Sequence, residues 1–296
     1  MKMEKNRMER MEIVSKPQKM IISLFHWKKI KQYSEQLKEL EILKKTIQID
    51  FVEKTANVIA EIDENTIIFT DDAVLAAECV QKHIPYLFFL HAGNAGETLP
   101  SGAYCVESLL DVSYDYLDKV YRRAKNLPWD ILETERLIVR EITVADVPRL
   151  YELYKDADIT RYMEGLFPLI KQEEDYTRDY IRNIYYFYGY GMWLIVLKET
   201  GEVIGRAGLE YKDGLEGLEL GFMLGKDYQH KGYAYEACHA ILDYAREELE
   251  QLSFRAVVHK ENTSSRRLCE KLGFTNTGQT MQKEEDEYLE YCINKI

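Results

Sequence analysis

No stretch of the 296-residue chain approaches the roughly 20 consecutive apolar residues that a membrane span requires. The basic start, residues 1–19, imitates a secretory n-region. The apolar stretch behind it, Ile21-Ile22-Ser23-Leu24-Phe25, is too short for an h-region and runs into Lys28-Lys29. Cysteine is sparse: Cys79, Cys105, Cys238, Cys269 and Cys292 stand far apart without a CxxC pair. That spacing indicates neither a zinc knuckle nor a disulfide framework, and reduced thiols in a cytoplasmic protein are the expectation. Positive charge is in deficit, with 39 Lys and Arg against 51 Asp and Glu and a net charge of −12. A general phosphate-backbone binder needs a basic face, so nucleic acid is not an expected partner. The same acidity is compatible with a cationic partner such as an amine. Neither GxxxxGK[ST] nor GxGxxG occurs. His230 and His239 have no companion at metal-ligand spacing, so no metal is expected.

What is present suffices for two domains, since 46% of the residues are hydrophobic. The clearest seam is Asn126-Leu127-Pro128-Trp129-Asp130, behind the helix-like Tyr116–Arg123. Proline pushes its predecessor out of the helical region, so the helix should stop before Pro128. Residues 1–125 then form a first α/β domain, 126–131 a linker and 132–296 a second α/β domain. In the first, Lys28 to Lys45 shows apolar residues at roughly helical spacing, and Thr46 to Ala60 alternates loosely, as a segment holding strands would. Thr66-Ile67-Ile68-Phe69-Thr70 is a continuous β-rich run, as a buried parallel strand would be. Asp71-Asp72 starts a helix over Ala73–Val80, and Tyr86–Leu90 and Ala103–Val106 are further strands. Strand, helix, strand reads as a Rossmann-like βαβ unit.

The second domain should open with a strand over Arg136–Ile142 and a helix over Val144–Lys155. An aromatic-rich helix over Tyr176–Tyr188 and strands over Met192–Leu197, Val203–Tyr211 and Leu218–Leu224 follow. A helix from Tyr235, a strand over Phe254–His259, a helix over Ser264–Leu272 and a closing strand pair over Phe274–Met281 and Glu287–Ile293 complete it.

The informative stretch runs from Leu218 to Ala234: a strand, the loop Gly225-Lys226-Asp227-Tyr228-Gln229-His230-Lys231-Gly232, then a helix. The first amides of a helix have no internal partner and sit at the positive end of its dipole. A loop of this kind is a ready site for a phosphate or pyrophosphate. Gly232, without a Cβ, permits close approach of the backbone.

Gln229-x-x-Gly232-x-Ala234 resembles the Q/R-x-x-G-x-G/A signature of GNAT acetyltransferases. Leu132–Arg140 resembles the first strand of the branch that includes the ribosomal-protein N-terminal acetyltransferases. Asn262-x-x-Ser265 with Leu268–Phe274 resembles that branch's segment from strand 5 to helix 4. The likeness covers residues 132–296 and implies a mixed sheet whose strands 4 and 5 splay apart. Residues 1–125 faintly resemble the later part of a HAD-type fold, without its DxDGT motif.

By this resemblance the co-substrate is acetyl-CoA and the acceptor a small-molecule amine or a protein N-terminus. The amides of Gln229, His230, Lys231, Gly232, Tyr233 and Ala234 would hold the pyrophosphate. The main chain of Phe222, Met223 and Leu224 would pair with pantetheine, and Asn262 would contact the cofactor. Glu219, on strand 4 beside the splay, is the candidate general base, or an ordinary polar residue of a strand edge. Other family members carry a tyrosine in helix 4 to protonate the thiolate. Here Cys269 stands there, as a small buried side chain, and Ser265 one turn earlier is the substitute acid or simply a helix-start residue. Tyr185–Tyr190 and Trp193 either line the acceptor site or pack a helix on the sheet. A non-catalytic coenzyme A-binding module is the alternative reading, and a homodimer is compatible with either.

Overall fold

The computed structural model describes residues 16–24, 46–52, 58–212, 216–283 and 286–293. The chain divides into two compact units, Met1–Trp129 and Asp130–Ile296. The helical spacing over Lys28 to Lys45 lies outside the described residues.

The first unit holds a five-stranded parallel sheet. Its strands are β1 (Lys19–Ser23), β2 (Gln48–Phe51), β3 (Thr66–Thr70), β4 (Tyr86–Phe89) and β5 (Cys105–Val106), in the order β2-β1-β3-β4-β5. Helix α1 (Ala73–Gln81) follows β3, and α2 (Tyr114–Ala124) follows β5. Period-2 alternation sends the strand side chains to two faces. Met20, Ile22, Ile67, Phe69, Leu87 and Phe89 share one core with Leu117, Val120 and Tyr121 of α2. Ile21 and Ile68 share the other with Cys79 of α1. Cover on both faces is why these strands read as unbroken apolar runs. It also explains the short apolar stretch near the start. Five residues cannot cross a membrane, but Met20, Ile21 and Ile22 are fully buried in β1, between β2 and β3.

Asp72 caps α1 by accepting the Val74 N–H, and Ser113 caps α2. The helix before the seam ends at Ala124, ahead of Pro128 as expected. The residues behind it fold back onto it. The Trp129 indole N–H donates to the Lys119 carbonyl (2.8 Å), and the Arg123 guanidinium lies 4.1 Å from the indole ring centre.

The second unit is built on an eight-stranded mixed sheet in the order β12-β13-β11-β10-β9-β8-β7-β6. Its strands are β6 (Asp130–Glu133), β7 (Leu137–Arg140), β8 (Met192–Leu197), β9 (Glu202–Tyr211), β10 (Leu218–Leu224), β11 (Phe254–His259), β12 (Thr275–Lys283) and β13 (Asp286–Ile293). Only β10 and β11 run parallel among the neighbouring pairs of this sheet. The helices are α3 (Val147–Tyr154), α4 (Ala157–Thr160), α5 (Ile170–Tyr180), α6 (Tyr186–Tyr188), α7 (Tyr233–Glu247) and α8 (Thr263–Lys271).

Two expectations change here. Leu132–Arg140 is not one strand but a hairpin, β6 and β7. Thr134 turns the chain: its N–H donates to the Leu137 carbonyl, and its hydroxyl oxygen accepts the Leu137 N–H (3.0 Å). The aromatic helix starts six residues earlier, at Ile170, and widens into a π-turn over Ile181–Tyr185. Periodicity cannot foresee a π-turn, because it depends on what the inserted residue packs against. Here it brings Tyr185 inward, so that its hydroxyl bonds to the Met192 carbonyl.

Candidate active site

The site is built around β10 and the loop that follows it. Helix α7 begins at Gly232, which is its N-cap at φ +85°, and His230 is also left-handed at φ 61°. An L side chain is strained at Gly232, which accounts for glycine there. Glu236 is the first residue of the helix whose N–H reaches a backbone acceptor, the Gly232 carbonyl at 3.0 Å. The N–H groups of Tyr233, Ala234 and Tyr235 precede it without intrahelical partners, and a glycine cap offers no side-chain acceptor.

The loop is held from outside by Arg136, a residue the sequence did not single out. Its guanidinium donates to the Lys231 carbonyl (3.1 Å) and to Glu236 Oε2 (2.7 Å), and lies over the Tyr233 ring at 4.4 Å. Glu236 Oε1 also accepts from the Thr134 hydroxyl (2.6 Å) and the Arg136 N–H (2.9 Å). Burial raises the Glu236 carboxyl, but these donors outweigh it and hold it below the usual range. A depressed carboxyl contributes stability above its unfolded pKa of about 4.3 and loses it as pH falls through the folded value. Glu236→Gln is expected to cost roughly 1–2 kcal/mol at pH 7, an amount reduced by the solvent around Arg136. The urea midpoints of variant and wild type should draw together as the pH falls from the unfolded value of about 4.3 through the lower folded-state one. A gap that persists there would assign the loss to packing instead.

The sheet parts beside this loop. β10 and β11 pair only at Leu218↔Phe254 and Glu219↔Arg255. β10 nevertheless stays paired to β9 along its whole length, from Leu218↔Tyr211 to Leu224↔Gly205. The Leu218 N–H donates toward β11, to Ser253, and the Gly225 N–H toward β9, to Ile204. Ladder alternation therefore turns the peptide groups of Leu220, Phe222 and Leu224 toward β11 and that of Met223 toward β9. The Leu220 N–H still faces the Arg255 carbonyl across the last paired register. Phe222 carries the first β11-facing amide beyond it. Gln229 joins the strand end to the loop, its side-chain amide donating to the Leu224 carbonyl (3.1 Å).

Glu219 stands at that last register, with Glu210 directly opposite on β9. Glu210 was missed by sequence reasoning, although a hairpin over Val203–Tyr211 and Leu218–Leu224 would have paired the two. Its Oε1 accepts from the Tyr180 hydroxyl (2.9 Å), and its Oε2 is 2.9 Å from Lys212 Nζ. Burial opposes the charge of Lys212. The hydrogen bond to Glu210 and the charges of Glu210 and Glu219 together hold its ammonium above the usual lysine range.

The other candidates are placed more plainly. The Asn262 side chain caps α8 by accepting the Ser265 N–H (3.1 Å), so both residues have a structural task. Cys269 is fully buried, and burial pushes its thiol up to about 12. Tyr185 and Trp193 are buried packing residues, with Trp193 edge-on to Tyr244, while Phe187 is largely exposed. In the first unit Asp71 is buried 3.2 Å from His91 Nε2. Among the described residues no group of three or more His, Cys, Asp or Glu could hold a metal ion, and no helix is long and apolar enough to cross a membrane.

The sheet is thus half parted after Glu219↔Arg255, and the glycine-capped start of α7 follows the parted strand. The family described as "Acetyltransferase (GNAT) domain" matches residues 136–275. N-acetyltransferase p20 of Bacillus licheniformis is 33% identical over 153 residues, 50% of this chain and 84% of that protein. N-acetyltransferase YnaD of Bacillus subtilis (strain 168) is 28% identical over 148 residues, again 50% and 84%. A crystal structure of an acetyltransferase from Agrobacterium tumefaciens str. C58 is 29% identical, with a TM-score of 0.48, covering 55% of this chain and 94% of that one. The chain belongs to the GNAT acetyltransferase family, and is an acyltransferase.

Proposed function

We propose that the protein transfers the acetyl group of acetyl-CoA to a primary amine by direct attack within a ternary complex. The observation that carries this reading is the parting of β10 from β11 immediately after Glu219↔Arg255. It opens a slot whose one wall is the β11-facing edge of Phe222 and Leu224. The unpaired amides of Tyr233 to Tyr235 lie beyond its end.

In this reading Gln229 to Ala234 receive the pyrophosphate, and the peptide groups of Phe222 and Leu224 align the pantetheine arm. Met223 contributes its place in the strand rather than its peptide. The thioester supplies an electrophilic carbonyl. The Phe222 N–H is placed to stabilise the oxyanion that develops on it. Glu219 takes the proton of the attacking ammonium, directly or through a water. As the C–S bond breaks, coenzyme A leaves as a thiolate, a tolerable leaving group for a thiol with pKa about 8.5, and takes its proton from solvent without a dedicated acid. Cys269, buried and held protonated, is not needed, and Ser265 is the remaining side-chain donor to test. The first unit serves as a Rossmann-like scaffold. Asp72 is engaged as a helix cap and Asp71 is packed beside His91.

Thiol release from acetyl-CoA over a panel of primary amines tests the reading. Amine-dependent release above hydrolysis is expected for at least one class. Release that ignores every amine would sink it.

A further inference from the structure

Two fastenings cross the parted sheet at its open end. The first is electrostatic. Lys226 follows β10 by two residues, and its ammonium stands 3.0 Å from Asp156 Oδ2 and 2.7 Å from Asp158 Oδ2. The second is aromatic. The Tyr162 ring stacks on His259, the last residue of β11, with ring centres 4.6 Å apart and planes inclined at 29°. Asp156 and Tyr162 belong to one short piece of chain: Asp156 caps α4, Ile159 within it is buried, and Tyr162 stands two residues past its end. The four residues of α4 advance about 6 Å, more than the ~4.8 Å that separates paired strands. One end of the segment is therefore tied to the lip that β10 forms, and the other to the lip that β11 forms.

His259 is itself held for this contact. The Glu261 N–H donates to its Nδ1 (3.2 Å), Asp286 Oδ1 lies 3.3 Å from its Nε2, and the Tyr288 ring meets it edge-on at 5.3 Å. The side of the sheet is fixed too. Glu219 and Arg255 are register partners, so their side chains share a face, and alternation along β11 brings His259 to that face. The segment thus crosses the slot on the face that carries Glu210 and Glu219. Four residues up each strand from Glu219↔Arg255, about 13 Å, His259 comes level with Met223. That is beside the peptide groups of Phe222 and Leu224, which line the slot.

We infer that residues 156–162 form a strap that gates the slot, with Tyr162 as the positioning residue that seats it. The inference rests on the acetyl-transfer reading for what fills the slot. The pantetheine arm lies beneath the seated strap, between the pyrophosphate loop and the Phe222 amide, and is shielded from water on that face. The acceptor amine reaches the thioester from the Glu219 end, away from the strap. Both fastenings join protein groups, so releasing them lowers the barrier to entry and to exit alike. A side chain that only touched the cofactor would change its exit alone.

The test passes coenzyme A over the immobilised full chain to obtain kon and koff. Calorimetry gives Kd, and thiol release without amine gives the hydrolysis of acetyl-CoA. Tyr162→Ala is expected to raise kon and koff together by about 10-fold, the scale of one aromatic contact, with Kd changed less than about 3-fold. Hydrolysis without amine should rise with them, because water gains the thioester. Tyr162→Phe should behave as wild type, since the ring and not the hydroxyl makes the stack. Tyr162→Leu keeps apolar cover without the flat face and should match Tyr162→Ala, with thermal midpoints as the folding control. Asp158→Asn loosens an exposed ion pair and should raise both rates only about 2-fold. Rates unchanged in Tyr162→Ala and Tyr162→Leu overturn the gate, as does a rise in koff alone or a Tyr162→Phe that behaves like Tyr162→Ala. Gated binding without transfer to any amine would sink the acetyl-transfer reading and leave the strap standing. A wild type that binds no coenzyme A would sink both.

Discussion

Gly232→Trp is expected to weaken acetyl-CoA binding by about 100-fold or more, the equivalent of ~2.7 kcal/mol, while the protein stays folded. Two physical effects combine. At φ +85° any L residue is strained by roughly 1–2 kcal/mol. A Cβ there would stand 3.3 Å from Arg136 Nη2, so the side chain that pins the Lys231 carbonyl must move. The indole would also occupy the approach to the Tyr233, Ala234 and Tyr235 amides. Gly232→Ala separates the contributions: it carries the backbone strain without the bulk, and an intermediate loss is expected. Calorimetric titration of acetyl-CoA against all three proteins, with thermal midpoints as the folding control, reads the result. If Gly232→Trp binds as tightly as wild type at an unchanged fold, the loop is not the pyrophosphate site.

Glu219→Gln is expected to lower kcat by about 10²–10⁴-fold with little change in acetyl-CoA affinity. The substitution keeps the shape of the side chain and removes its basicity. A variant without a base depends on amine that is already deprotonated. Its rate should therefore climb with pH toward the pKa of the amine, while the wild type levels off earlier. Glu210 sharpens the expectation. It faces Glu219 across one register, but Tyr180 and Lys212 engage its two oxygens, so it is poorly free to take a proton in place of Glu219. Unchanged turnover in Glu219→Gln would remove it from the mechanism and leave a bound water as the base.

Much of the second unit was legible in the sequence, because its strands alternate and its helices carry caps. Leu218–Leu224 and Phe254–His259 have the bounds read from their apolar pattern, and the glycine loop between strand and helix is a local motif. What pattern could not supply was pairing. The hairpin at Thr134 depends on one hydroxyl accepting a backbone N–H. The π-turn depends on the fit of Tyr180 and Tyr185 beneath the sheet. Strand β1 was overlooked because its short apolar stretch, covered on both faces like Thr66–Thr70, was weighed only as a leader segment.

The sequence by itself determined that a glycine-led helix start follows an apolar strand, since glycine at 232 and the run from Leu218 to Leu224 are local facts of composition and order. Only the tertiary structure decided which peptide groups that strand leaves unpaired, for this follows from where β11 departs from it. It also decided the electrostatic company of the site. Arg136 on the loop and Glu210 opposite Glu219 are placed there by strand register and helix packing, across separations of up to 100 residues.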